Sequence, residues 1–521
     1  MSAVELELFR QLLGSIADEM GIVLRKTSYS ANIKERRDYS CAVYDVLGQT
    51  VAMGEHMPVH LGAMPLSVRF AMEAYRFEPG DVVILNDPFA GGTHLPDITA
   101  VSGVFLKGER KPAFYVANRA HHADVGGMSP GSMPLATEIF QEGIRIPPVR
   151  LIHRGRMQDE LWRMILANVR TPAEREGDLL AQLASLKRGS ERLLELAARY
   201  GKPAVIRNMR RLQEYSRSMM EEALRALPAG EYRFEDFLDD DGTGGDPVRI
   251  SVVITVAGNR AIVNFTGSAD QAAGPVNANR AIVDAATGYV FRCLLKEDVP
   301  FTSGLLQPIQ IRTRKRSVVD AECPAAMAAG NVETSQRITD VLLGALSQAA
   351  PDRIPAASSG TMNNLSFGGW DRLRSRPFAY YETMAGGMGA GPEHAGVSAT
   401  HTHMTNSWNT PVEALEHQFP LRIREYSIRR GSGGKGTHCG GDGVVREWEF
   451  LDAAKVTVLS DRRKHGPYGL AGGCPGQPGS NVLIRAGNRQ AVSAKAEFPV
   501  HPGDVLRIES PGGGGHGRPL S

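Results

Sequence analysis

Much of what usually declares a protein's chemistry is missing from these 521 residues. There are only five cysteines, Cys41, Cys293, Cys323, Cys439 and Cys474, odd in number and never spaced C-x-x-C. That argues against a disulfide framework or a structural zinc site and fits a reducing cytoplasm. No apolar run approaches the roughly 20 residues a membrane span needs. The start, Met1 to Glu7, is acidic and lacks the basic and apolar regions of a signal peptide. Neither sign of charge dominates: the net charge is +2 and no long basic run occurs, so nothing points to nucleic acid. There is no G-x-S-x-G elbow for a serine hydrolase, and no cysteine sits in an activating context. The stretch Gly431 to Thr437 only imitates a phosphate loop. Arg429 stands where the first glycine belongs, and Gly436 follows Lys435 where a Ser or Thr is required.

What remains is an ordinary globular composition, 42% hydrophobic and 22% charged, long enough for roughly two to four domains. Glycine is abundant, at 57 residues, and concentrates in turns beside polar residues. Apolar positions at helical spacing over 4–26 predict an amphipathic helix, and 158–227 reads as helical with a leucine stripe that belongs to a core. A hairpin is expected over 41–53, strands at 81–85, 99–105 and 112–118, and a helix entered from His56 to Met64 and running to about Tyr75. A strand pair at 249–256 and 260–266 and helices at 280–296 and 334–350 follow. From Leu421 onward the chain is β-rich and punctuated by glycine. The expectation is an α+β chain in three parts: an N-terminal α/β region over 1–227 carrying a metal site, a mixed region over 228–415, and a β-rich region over 416–521.

The densest chemistry lies in Asn86–Asp97 and Asn118–Gly127, which carry His-x-x-Asp twice, at His94/Asp97 and His121/Asp124. Imidazole and carboxylate are the ligand set of a Mn, Zn or Fe site, and both move protons. Each pair sits beside glycines and near the end of a strand, where a rigid scaffold aims loop residues. Pro96 sets the bend between His94 and Asp97. The bland alternative is that one pair caps a turn and that His121 or His122 is a satisfied core histidine. Asp38, in Glu35–Ser40, is a further acid just before a strand, with Arg36 and Arg37 beside it as salt-bridge partners in the competing reading. His401 and His403 are expected on one strand face, as a pocket wall, a partner contact or a second metal pair. Gly330–Arg337 opens a helix, with Asn331 or Thr334 as its cap and Glu333 favoured by the dipole.

Taken together, Asn86–Asp97, His121–Gly127, Thr137–Pro148, Gly330–Asp340, Thr361–Gly369, His401–His417 and Ser460–Gly473 resemble the B-type subunit of the ATP-dependent hydantoinase, oxoprolinase and acetone carboxylase superfamily. The resemblance implies a hetero-oligomer. An A-type ATPase partner, carrying ATP and Mg, activates an amide or carboxylate oxygen, and the B-type chain holds a divalent metal (Mn, Zn or Fe) and completes the chemistry. It implies His94, Asp97 and His121 as metal ligands with Asp38 as a fourth, prefers His121 to His122, and leaves Asp124 or His122 as base or as a ligand orienter. The implied activity is ring opening of a small cyclic amide. A ketone carboxylase subunit and a non-catalytic assembly subunit are the alternatives. Phe301–Gly304 departs from the asparagine-containing loop of the family pattern, which leaves substrate contacts there open.

Overall fold

The computed structural model describes residues 3–519 apart from 55 and 56. Helix α1 (Ala3–Thr27) turns Phe9, Leu13, Ile16, Met20 and Leu24 inward, the face its apolar spacing predicts. A short α2 (Ala31–Lys34) leads into a seven-stranded antiparallel sheet of β1 (Tyr39–Tyr44), β2 (Thr50–Met53), β3 (Val82–Leu85), β4 (Asp97–Val104), β5 (Phe114–His121), β6 (Val149–His153) and β7 (Arg156–Met157). Its spatial order is β2-β1-β5-β4-β3-β6-β7. The expected entry through His56 falls outside the described residues. From Met57 the chain forms α3 (Pro58–Leu61) and α4 (Met64–Ala74).

Strand β5 is buried at every position, because the sheet is a middle layer. Cys41, Val43, Val116 and Ala120 face α1 and the long helices that follow. Ala42, Tyr44, Tyr115 and Ala117 face the other way, toward the middle of the chain. The helical stretch expected over 158–227 is three helices, α5 (Asp159–Ala167), α6 (Pro172–Tyr200) and α7 (Lys202–Arg225). Gly201, at φ +81°, makes the break between the last two, a conformation side chains resist.

A second sheet joins β8 (Gly230–Leu238), β9 (Val248–Ala257), β10 (Arg260–Asn264) and β11 (Ile309–Arg312), of which only β10 and β11 run parallel. Helices α8 (Arg280–Arg292) and α9 (Ser335–Leu346) share its core with the first sheet. A π-turn, Gly330–Thr334, opens α9. Neither Asn331 nor Thr334 caps that helix as expected. Thr334 bonds Val276 O, and Asn331 points to the first sheet.

The rest is β-rich, with the strands expected from Leu421 onward preceded by two more inside the stretch expected to be mixed. Two sheets pack over one core that includes Phe367, Tyr380, Trp448 and Leu506. One has β12 (Asn364–Asp371), β13 (Arg376–Glu382), β16 (Ala454–Leu459) and β19 (Lys495–Val500). The other has β14 (Leu421–Arg429), β15 (Gly443–Phe450), β17 (Ser480–Arg485), β18 (Asn488–Ala491) and β20 (Val505–Glu509), with α10 (Val412–Gln418) leading in. The first of these sheets takes strands from both sides of residue 415. The phosphate-loop look-alike belongs to a glycine layer. The tail Gly512–Gly515 threads between neighbours, with Gly434 N donating to Gly513 O, Gly513 N to Gly441 O and Gly515 N to Cys474 O. A Cβ on Gly513 would lie 2.0 Å from Met388 O, so only bare backbone fits. These elements make the architecture α+β.

Candidate metal centre

Strands β4 and β5 pair so that Asp97 stands directly opposite His121. That register brings the two halves of the sequence signal together. His94 arrives from the preceding loop, which Asn86 pins: its side chain donates to Leu95 O and Ile144 O and accepts from Ile146 N. Gly92 lies so close to Asn86 O (2.2 Å from an ideal Cβ) that a side chain would prise the loop open.

The result is a buried cluster. Asp97 Oδ1 lies 3.1 Å from His94 Nε2 and 3.3 Å from His121 Nδ1. Asp97 Oδ2 accepts from Thr93 Oγ1 at 2.9 Å and Asn331 Nδ2 at 3.3 Å, and lies 3.3 Å from His60 Nε2. His60 comes from α3 and is anchored by Ser40 Oγ at its Nδ1, 3.0 Å away. The His121 ring stacks on Tyr381 with centroids 4.4 Å apart. Burial alone would raise the Asp97 carboxyl. The facing His94, His60 and His121 imidazoles outweigh it and hold that carboxyl well below the usual range. Burial pushes the His121 imidazole down.

The donor set fits a divalent cation. One ligand atom each from His94, Asp97 and His121 falls within 4.8 Å of the others. His94 Nδ1 donates to Ala328 O at 3.2 Å, so the lone pair of the ring is on Nε2, which lies 3.1 Å from both Asp97 Oδ1 and the Asn331 amide nitrogen. Asp97 Oδ1 is shut from solvent and accepts no hydrogen bond. Two lone-pair atoms facing each other in a dry site want a positive charge between them. Backing a ligating imidazole with a carbonyl is the usual way its tautomer and ring angle are set. A second group, Glu78, Asp81 and His153, also lies close enough, but its carboxylates already pair with Arg154 and Arg150.

The other expected residues fall at different distances. Asp38 Oδ2 is 4.0 Å from His121 Nδ1, at the rim. Arg36 and Arg37 do not neutralise it. Arg36 bonds Tyr381 O and Thr383 Oγ1, and Arg37 lies over the Trp408 ring. His122 faces α6, 2.9 Å from Gln182 Oε1, and burial pushes it down to about 4. Asp124 accepts from Gly126 N, Gly131 N, Arg170 N and Arg170 Nη1, so it ties the 126–131 turn to the α5–α6 connection. His122 and Asp124 thus stand apart from the cluster. Two residues that touch it were not expected there. His60 lies in a mostly apolar stretch, four residues after His56, with no His-x-x-Asp pattern around it. Asn331 looked like a cap, and the π-turn re-aims it, as such turns do at functional sites. His401 and His403 lie in an irregular loop, not on a strand.

Fold and cluster together define a chain that buries a His–Asp–His donor set at the end of an antiparallel sheet. The profile of the Hydantoinase B/oxoprolinase family matches residues 2–519, and the chain belongs to that family. It is 38% identical to 5-oxoprolinase 1 of Arabidopsis thaliana, over 99% of this chain but only 42% of that longer protein. It is 31% identical to the putative B-type subunit of a D-/L-hydantoinase from a Pseudomonas strain, over 98% of this chain and 88% of that one. The crystal structure of the ATP-dependent caprolactamase from Pseudomonas jessenii superposes with a TM-score of 0.90 at 27% identity, covering 100% of this chain and 92% of that one. Among the described residues no helix is long and apolar enough to cross a membrane.

Proposed function

We propose that this chain is the metal-holding subunit of an ATP-dependent cyclic amide hydrolase, acting with a separate ATPase subunit. The observation that carries the reading is the burial of His94, Asp97 and His121 around one point. The names of the relatives, an oxoprolinase, a hydantoinase subunit and a caprolactamase, supply the substrate class. His94, Asp97 and His121 would hold the ion, with Asp38 at the rim as a fourth group. A divalent ion there supplies Lewis-acid chemistry, polarising a carbonyl and acidifying water.

The chain's own residues do the rest. Asp97 keeps its negative charge and locks two imidazoles. His60 and Thr93 fix its second oxygen, so the carboxylate does not rotate. Tyr381 covers His121 and excludes bulk water, which strengthens every charge inside. The partner phosphorylates the amide oxygen. Water then adds to the activated carbon and the ring C–N bond breaks with a proton delivered to nitrogen, which leaves an acyl phosphate that a second water cleaves to carboxylate and phosphate. His122 and Asp124 brace the scaffold behind the site in this reading, against α6 and the α5–α6 connection. The test is reconstitution: this chain with its ATPase partner, ATP and hydantoin, 5-oxoproline or ε-caprolactam. Ring opening that requires both chains and ATP supports the reading. Hydrolysis by this chain alone, or none with any partner, overturns it.

A further inference from the structure

The His401–Thr402–His403 loop is the motif the metal cluster leaves unexplained, and it is bonded to elements that carry two of the residues touching that cluster, Asn331 and His60. Gln336 Nε2, one turn along from Asn331, donates to Thr402 O at 3.1 Å. Val59 N, next to His60, donates to Met404 O at 3.3 Å. Tyr289 Oη lies 3.4 Å from His403 Nδ1. Inside this ring of contacts several polar atoms have no partner: both ring nitrogens of His401, Nε2 of His403 and Oε1 of Gln336, all shut from solvent. Asn409 is near His401, with its Nδ2 donating to Glu382 and Thr383 O and its Oδ1 accepting from Tyr426 Oη. A buried polar atom left unpaired is costly, so a protein keeps few without a use for them. His403 also holds φ +59°, a strained backbone for a side chain of its size.

We propose that His401 and His403 form the substrate-recognition wall beside the metal cluster, gripping the N–H and C=O edge of a neutral cyclic amide. This rests on the reading of the site as a cyclic amide hydrolase. Ring closure forces the amide cis, so its N–H donor and C=O acceptor lie on one edge. A neutral imidazole carries one donor and one acceptor. With Tyr289 donating to His403 Nδ1, His403 Nε2–H faces the carbonyl and His401 accepts from the N–H. Burial pushes both rings down to about 4, so both are neutral at pH 7. Beside the loop is a cleft of about 340 Å³ whose walls are Pro58, Tyr289, Leu295, Phe301 and Asn406 with Arg292 and Cys293, and on this proposal it is the way in. Its largely apolar lining suits a lactam ring, and Tyr289 is the residue it shares with the His403 contact.

The test uses the full chain, wild type against His401→Ala, His403→Asn and Asn406→Trp. Asparagine tolerates the left-handed backbone at 403, and Asn406 is exposed, so these variants keep the fold, checked by thermal melting. Affinity for 2-pyrrolidone, hydantoin and ε-caprolactam is measured by titration, with the N-methylated lactams as controls. Metal content is measured in parallel. The expected result is at least a tenfold loss of lactam affinity in the two histidine variants with wild-type metal content. Wild type should discriminate against N-methyl lactams and His401→Ala should not. Asn406→Trp should slow lactam entry. Wild-type affinity in both histidine variants, metal lost together with affinity, or no lactam bound by wild type overturns the proposal. If wild type and its ATPase partner turn over lactams and both histidine variants keep the wild-type KM, this inference alone fails. If lactams bind through these histidines but are never hydrolysed, the proposed function alone fails.

Discussion

Glu142 is buried completely, and its Oε1 accepts from Met327 N at 2.6 Å and Ala328 N at 2.9 Å, while Oε2 has no partner. Ala328 passes the contact on, since its carbonyl accepts from His94 Nδ1. Burial pushes the Glu142 carboxyl up to about 8 from an ordinary 4.5, against the two backbone bonds that lower it. The folded state therefore binds one more proton than the unfolded state between those values, and stability falls as pH rises through that window. The full swing is on the order of 4–5 kcal/mol. Glu142→Gln removes the titration and keeps the shape and the Oε1 acceptor. Urea unfolding of both proteins in chelator, at pH 5, 6.5 and 8.5, checks this. At pH 5 the variant should be no more stable than wild type, because its Nε2 faces the same empty position. At pH 8.5 it should be the more stable by a few kcal/mol. Parallel stability profiles for the two proteins would refute the reasoning, because the carboxyl would then be ionised and accommodated throughout.

Other perturbations read other parts of the structure. Asp97→Asn keeps the volume of the cluster and removes its charge, so Mn(II) or Zn(II) affinity should drop by at least about 100-fold, measured by competition with a chelator. Arg337→Met takes the cation from among Asp236, Asp340 and Asp461, bonded at 2.9–3.0 Å. Arg462 and Lys495 remain as partial partners. A loss of about 3–5 kcal/mol in denaturant unfolding is expected, and an unchanged midpoint would show the network to be dispensable. Gly513→Ala drives a Cβ into the Met388 carbonyl and should destabilise by about 2–3 kcal/mol or more. Gly14→Ala on α1 meets nothing within 4 Å and should stabilise by up to about 1 kcal/mol. Equal melting temperatures for the two glycine variants would contradict the close backbone packing of the tail.

The contrast between Asp97 and His60 shows where reading the chain residue by residue stops. His94, Asp97 and His121 were visible because their spacing is local: a tight glycine loop and a strand end each hold the ligand within a few residues of its neighbour. Their convergence is not local. It depends on the β4–β5 register, which pairs Asp97 with His121 and sends the next residue, His122, to the opposite face toward α6. A period of two therefore divides adjacent histidines between a polar cluster and a helix contact, and nothing in the doublet itself says which is which; the family pattern was needed to prefer His121. Asp124 follows the same logic. Its spacing copies Asp97, but glycines after it place two backbone N–H groups and Arg170 around the carboxylate, so an identical motif becomes a turn clamp. His60 left no signal, because its partners Ser40 and Asp97 are 20 and 37 positions away and only tertiary packing assembles them. The same holds for the boundary placed near 415: alternation marked strands on either side of it, while the sheet that joins them is formed by pairing between β12 and β16. Spacing thus identifies which side chains carry chemistry, and sheet register decides which of them meet.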